Sequence, residues 1–499
     1  MFCQLAHLRH CLRGRIRRAL DDLPDTLDET YARTLEGIGG QNWECAHRLF
    51  QCVAVASRPL RVEELAEFLA FDFEEGSTPS FLTEWRPEDP AHAVLSTCTS
   101  LLAVVTVDEF PVIQFAHFSV KEYLTSGRLA EAKDTVSRFH VSMTPAHTIV
   151  AQACLGVLLH LDENITEDSL EEFPLAKYAA EHWVKHAQIE SVSSKLQDGM
   201  KQLFDPGKNH LSVWGWIHDP DDGSNDLRSE SPAKDSAMPL HYAAFWGIHD
   251  MATFLIVEHS KDVNARGFYR DETPLLVTVR RGNVQVARVL LENGADREAR
   301  DRYDWSPLER ASGGGNLELI QVLLEHGADP NARDARGRSL LYLSSDWGRP
   351  AVVLTLLKHG ADVKARDNEE DTPLHRAKVE QVAQLLLEHG ADANALDSKD
   401  QTPLFLSLKY GVGIVRVLLE HGSDANARDA INVTPLHRAS ESDLQEEEQL
   451  DIVRLLLQYG SDIHALDDRG RTPFMRATEG ENGPIMQLLL ENGAEDHRK

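Results

Sequence analysis

The sequence predicts a mostly helical protein: a solenoid of about eight stacked helix pairs over 237–499, preceded by a winged-helix and helical-bundle region. Three observations predict it. A four-residue box recurs at near-constant spacing through the second half of the chain. Each box is followed by an apolar stripe that ends at a glycine. The first half has no repeat and strings capped helices around one pair of β-branched runs.

The box reads MPLH from Met238, TPLL from Thr273, SPLE from Ser306, SLLY from Ser339, TPLH from Thr372, TPLF from Thr402, TPLH from Thr434 and TPFM from Thr472. Its starts lie 35, 33, 33, 33, 30, 32 and 38 residues apart. Such a period marks supersecondary units that cannot bury their apolar faces alone and must stack. A Thr or Ser hydroxyl accepts from a free amide in the first helical turn, and the following Pro sacrifices no helical hydrogen bond there. The box therefore opens a first helix. A second helix carries the stripe, as in VLLENGADREAR (289–300) and VLLEHGADPNAR (322–333). Glycines 294, 327, 360, 390 and 422 end it in a left-handed conformation, and the ADxNAR segment turns back toward the next box.

The departures carry their own expectations. Leu340 replaces the box proline, so the fourth unit should open its helix less cleanly. The fifth unit is three residues short and should trim a helix or loop. The seventh is five residues long, which puts ESDLQEEEQLD (441–451) in a solvated loop or a lengthened helix. Gly313, Gly314 and Gly315 fall between the two helices of a unit and read as turn residues.

The TPLH box and the GADxNA turn at a 33-residue period resemble the ankyrin-repeat family over about 237–499, eight units. In such a solenoid, variable positions on hairpin tips and inner helices face one groove, where a protein partner is expected. Arg266, Phe268, Tyr269 and Arg270 fall on one tip and Arg302, Tyr303 and Trp305 on the next. Trp246, Trp347 and Tyr410 fall at or near the ends of first helices. Trp, Tyr and Arg dominate binding hot spots, although repeat-against-repeat packing also claims such residues. The box histidines, His241, His375 and His437, recur once per unit. That spreads them along the stack, so hydrogen bonds between boxes are expected and a metal site is not.

Ahead of the repeats, Thr26-Leu-Asp-Glu29 is a capping box for a helix through Ile38. Further helices are expected over Trp43–Ala56, over VEELAEFLAF (62–71) and around Ala91–Ser100. LLAVVTV and VIQFAH, with a turn at Asp108–Pro111, read as a hairpin, and Ser119-Val-Lys-Glu122 as a second capping box. Helices followed by a two-stranded wing make a winged helix. The expected division is 1–38 helical segment, 39–135 winged helix, 136–218 helical domain, 219–236 flexible linker and 237–499 repeats.

The runs LPDTLDETYARTL, RPLRVEELAEFLAF, LSTCTSLLAVV, FAHFSVKEYLTS, KYAAEHWVKHA and LSVWGWIHD resemble fungal NACHT–ankyrin proteins, signal-transduction NTPases related to innate-immunity receptors. The matching part is the region C-terminal to their nucleotide-binding domain. The resemblance implies that His117 corresponds to a histidine that reaches bound nucleotide. No GxxxxGK[ST] loop is present to cradle phosphates, and the chain is expected to be a truncated product or a stand-alone derivative. His117 is then structural and the protein takes no cofactor.

Charge narrows the function further. A formal net charge of −29 repels phosphate, and the candidate recognition helix, AHAVLSTCTS, offers no Lys or Arg, so no nucleic-acid partner is expected. Cysteines 3, 11, 45, 52, 98 and 154 form no CxxC pair and leave the larger part of the chain empty, which suits free thiols in a reducing cytoplasm. Neither a signal peptide nor an apolar run long enough for a membrane is present. Without GxSxG, HExxH or a paired Cys–His signature, the sequence points to a non-enzymatic, protein-binding scaffold in intracellular signalling. The alternative is the regulatory half of a split NACHT-type switch, which would take a separate NTPase chain as its partner.

Overall fold

The computed structural model describes residues 26–38, 40, 42–73, 78–132, 135–189, 191–218, 238–267, 271–441 and 446–495. They fall into two units that meet in sequence near Leu240. The expected linker at 219–236 lies outside the described residues, as do Phe268, Tyr269 and Arg270.

In the first unit the helix Trp43–Val55 leads to a short strand at Leu60–Arg61, a helix at Val62–Glu67 and another at Pro90–Cys98. The strands Leu102–Val107 and Phe110–Phe115 form the wing. Both sheet pairings are antiparallel, and Phe110–Phe115 is the central strand, with Leu60 opposite Ile113 and Leu102 opposite Phe115. The turn is tighter than expected. Only Asp108 and Glu109 turn the chain, at φ of 48° and 70°, the left-handed pair a two-residue hairpin demands. Pro111 is already in the strand, opposite Thr106, one residue beyond the point where the third strand stops pairing. Its missing N–H therefore costs the sheet nothing.

Two helix expectations change on packing. VEELAEFLAF is helical only to Glu67; a 3-10 turn at Phe68–Ala70 comes next, and Phe71–Asp72 pairs with Ser80–Phe81 as a strand. The Phe71 ring lies 4.8 Å from Phe81 and against Gly156, where a Cβ would come within 2.7 Å of it. Local helix propensity yields to that burial. The second capping box also shifts. The helix Phe118–Leu124 is capped by His117, and Ser126 starts a separate turn at Gly127–Ala130.

Behind the wing pack the helices Met143–His160, Leu175–Ala187, Gln197–Phe204 and His210–Ile217. Trp183 and Trp214 are both fully buried with ring centroids 5.3 Å apart, and the Trp214 indole donates to the carbonyl of Ala180 at 2.9 Å. The buried Glu67 accepts from the Leu175 amide at 2.7 Å and pairs with Arg86, tying this bundle to the winged helix.

The second unit stacks eight pairs among the described residues, from Pro239–Trp246 with His249–Val257 to Pro473–Glu479 with Gly483–Glu491. Ser306 accepts from the Glu309 amide at 3.2 Å and Thr472 from Met475 at 3.3 Å, as caps should. Ser339 caps Leu340–Asp346 equally well, so the missing proline does not blur that start. The short fifth unit trims its first helix to a 3-10 turn at Pro373–Arg376, and the long seventh extends its second helix to Glu446–Gln458.

Three ladders of hydrogen bonds recur along the array, the first closing the tips and the other two joining one repeat to the next. Six of the seven tips begin at an aspartate whose Oδ1 accepts from the amides two and four residues on, as Asp397 does from Lys399 and Gln401, both at 2.8 Å, while the first has Gly267 there. The asparagine of the GADxNA turn clips the following repeat. Asn394 donates to the Gly422 carbonyl at 2.9 Å and accepts from the Asp424 amide at 2.7 Å, and Asn264, Asn331 and Asn426 do the same. Lys364 holds this position in VKAR and cannot accept. Lys364→Asn is therefore expected to raise stability by about 1 kcal/mol, the net worth of an added hydrogen bond, read as a higher urea midpoint with unchanged slope.

The third ladder is histidine. His375 Nε2–H donates to the Gln401 carbonyl at 3.1 Å while its Nδ1 accepts from Thr372, and His437 repeats this with the Arg471 carbonyl at 3.0 Å and Thr434. His241 reaches the Glu272 carbonyl at 3.0 Å. Burial lowers the pKa of all three. They are the hydrogen bonds between boxes that their spacing predicts.

Candidate partner-binding face of the repeats

The inner-helix ends are set by the box. Nine residues after the box begins, a left-handed glycine follows the first helix at Gly247, Gly282, Gly315 and Gly348, whereas the sixth repeat's first helix already stops at Ser407. The side chain just before that glycine is therefore delivered to the same place in these four repeats. In order these are Trp246, Arg281, Gly314 and Trp347, and Tyr410 holds the same sequence position beyond the end of its shorter helix. Trp246 and Tyr410 are half-buried, the first against Phe245 and the second under Lys409, whose Nζ is 4.9 Å from the ring.

Trp305 arrives from the second hairpin tip, 40% exposed, and its ring centroid lies 6.1 Å from that of Trp347. These two indoles are the pair of expected contact residues that folding brings together. Arg302 and Tyr303 form a neighbouring surface pair, with the guanidinium donating to the phenol oxygen at 2.7 Å and Tyr303 59% exposed. Arg266 does different work. It donates to the Asp271 and Arg300 carbonyls, each at 3.0 Å, so its guanidinium braces one tip against the next. Arg366 does the same with the Glu370 and Leu396 carbonyls. Arg266, expected from the sequence as a partner contact, thus spends its guanidinium on its own and the neighbouring tip, as Arg366 does.

Residues that sequence reasoning missed complete the face. Trp305, Trp347, Gly313 and Gly314 share a cleft of about 360 Å³ with Arg280, Arg310 and Arg349. Arg280 donates to the buried Glu272 carboxylate at 3.0 Å, and Arg310 pairs with buried Asp301. Burial pushes the Asp301 carboxyl up, but Arg310 and the Trp305 and Tyr303 amides outweigh it and hold the pKa below the usual range. The available signal was positional: Arg280 precedes the row of inner-helix ends by one residue, and Arg349 comes directly after the cap glycine.

In the first unit, His117 is exposed. Its Nδ1 accepts from the Ser119 amide at 3.3 Å and lies 2.6 Å from the Ser119 hydroxyl, itself 2.7 Å from the Tyr31 phenol. The imidazole packs 4.3 Å from Phe118, whose side chain is 70% exposed. Among the described residues, no group of three or more His, Cys, Asp or Glu is placed to hold a metal ion, and no helix is long and apolar enough to cross a membrane.

Comparison with known proteins agrees with both folds. Ankyrin-repeat models match residues 240–334, 377–467 and 429–499, and a single-repeat model matches 336–368. The winged helix domain of GPI inositol-deacylase matches 31–137. The chain is 29% identical over 296 residues to azaphilone pigments biosynthesis cluster protein L of Monascus ruber, covering 56% of this chain and 61% of that protein's length. The ankyrin repeat domain of Bcl-3, a member of the IkappaB protein family, aligns at 27% identity with a TM-score of 0.40, over 44% of this chain and 99% of that one. The chain thus contains a winged helix domain of the GPI inositol-deacylase type followed by ankyrin repeats, and ankyrin repeats imply a role in protein–protein interaction.

Proposed function

We propose that this protein is a non-enzymatic scaffold of intracellular signalling that holds a protein partner along the inner-helix ends and hairpin tips of its repeats. The observation that carries this is the side-by-side placement of Trp305 and Trp347, within a row that also holds Trp246, Arg281 and Tyr410. Large, rigid aromatic and guanidinium side chains repeated along one face are what binding hot spots are made of. The winged helix and the bundle behind it dock or relay, with domain limits near 39–135 and 136–218, and the reading assigns them no nucleic acid.

The test is a crosslinking pull-down with the full chain and with the double variant Trp305→Ala, Trp347→Ala. A partner should be retained by the parent and lost at least tenfold by the variant, with helical circular dichroism unchanged. Equal retention by both refutes this face.

A second reading concerns His117 and Phe118, whose exposure supports a docking point for a separate NACHT-type nucleotide-binding chain. If so, His117→Ala should speed nucleotide release from that chain when the two are co-purified. An unchanged release rate rejects it.

A further inference from the structure

We infer that the cleft at the second to fourth repeats takes an acidic peptide segment, setting a carboxylate on Arg349 and a neighbouring aromatic or aliphatic side chain on the indoles of Trp305 and Trp347. The inference rests on the proposed scaffold role and names the chemistry of the partner.

Its first support is a pair of glycines that the backbone does not need. The helix Pro307–Gly314 is capped by Gly315, which alone of the three has a left-handed φ, 74°. Gly313 and Gly314 are helical, where glycine is a poorer helix former than alanine. Space explains the first: a Cβ on Gly313 would come 3.1 Å from the Trp305 ring and 3.7 Å from that of Trp347. Nothing packs against the second, since a Cβ on Gly314 would meet no atom within 4 Å. Gly314 also interrupts the row of large side chains, standing between Arg281 and Trp347. The missing side chain leaves an opening in a surface otherwise filled at every comparable position from Trp246 to Trp347.

Charge selects what enters. The lining contains three arginines and no carboxylate. Glu272 and Asp301 neutralise Arg280 and Arg310 from below, and the side chains of both acids are 1% exposed. Arg349 has no carboxylate partner among the described residues; it lies against Gly315, with the Trp347 ring 6.0 Å away. A guanidinium at the mouth of an indole-floored cleft matches a carboxylate beside an apolar group. Because the chain as a whole carries −29, this attraction is local, and added salt weakens it.

The test uses the full chain and fluorescein-labelled peptide pools of about twelve residues, with random flanks around a central Glu-Phe, Gln-Phe or Lys-Phe. By anisotropy, the Glu-Phe pool should bind about tenfold more tightly than the Gln-Phe pool, and the Lys-Phe pool should not bind. Gly314→Leu fills the opening and should abolish binding while holding or raising the melting temperature. Arg349→Gln should remove the preference for Glu over Gln and keep the residual apolar binding. Equal binding of all three pools, binding by none, or Glu-Phe binding that survives Gly314→Leu each overturns the inference. A partner isolated through Trp305 and Trp347 but indifferent to Gly314→Leu would overturn the acidic cleft and leave the scaffold standing.

Discussion

Asp467→Ala is expected to unfold the last repeat ahead of the rest of the array. Asp467 is buried and serves as the acceptor on which the seventh tip closes. Its Oδ1 accepts from the Arg469 and Arg471 amides, both at 2.9 Å. Its Oδ2 takes Arg471 Nε at 3.0 Å and Arg476 Nη2 at 2.6 Å. Burial works to raise the carboxyl's pKa, but these amides and guanidiniums outweigh it and hold the pKa far below the ordinary range. Alanine would leave Arg476, itself buried, with Glu441 as its remaining carboxylate partner at 2.6 Å. Removing one partner of a buried ion pair costs about 3–5 kcal/mol. In a stack held by nearest-neighbour contacts, that loss falls on the terminal repeat. Hydrogen exchange should show 472–495 losing protection while repeats two to five keep theirs. Uniform loss along the array would contradict this assignment.

Between pH 7 and pH 5 the first unit is expected to lose about 2 kcal/mol of stability through His186 alone. Burial first, then the neighbouring His147, His182 and Lys185, push its pKa down to about 3. The cause is visible in the contacts. His186 Nδ1 lies 2.8 Å from His147 Nδ1, and Nε2 lies 3.0 Å from the Tyr178 hydroxyl, between the two longest helices of the bundle. Above the ordinary value of 6.5 the ring is neutral folded or unfolded, so it contributes no pH dependence. Below 6.5 the unfolded chain takes up a proton that the native state refuses, and stability falls until about pH 3, where the native ring also protonates. His182, lowered to about 4, chiefly by burial, acts in the same direction. His186→Gln should flatten the decline in urea midpoint between pH 7 and 5 by roughly one proton's worth. An unaltered slope would show that His186 is not the group titrating.

The repeats were the legible part of the fold. A cap, a proline and an apolar stripe are local signals, and their recurrence sets the stacking direction before any contact is known. The winged helix was legible for the same reason, through its capped helices and β-branched hairpin. Where reading failed, a distant contact had overruled a local preference. Phe71 leaves its helix to pack on Phe81 and Gly156. His117, not Ser119, caps its helix because the Ser119 hydroxyl is engaged by the imidazole and by Tyr31. Arg266 looked available because nothing in its own repeat shows that the Arg300 carbonyl will come within reach.

By itself the sequence determined that helix pairs would stack from about residue 237 and that the box histidines would bridge them, because both depend on residues within one period. The tertiary structure alone decided which variable side chains share a surface. Trp305 and Trp347 lie 42 positions apart, and only the superposition of one repeat on the next places their rings together over the bare helix end at Gly313 and Gly314.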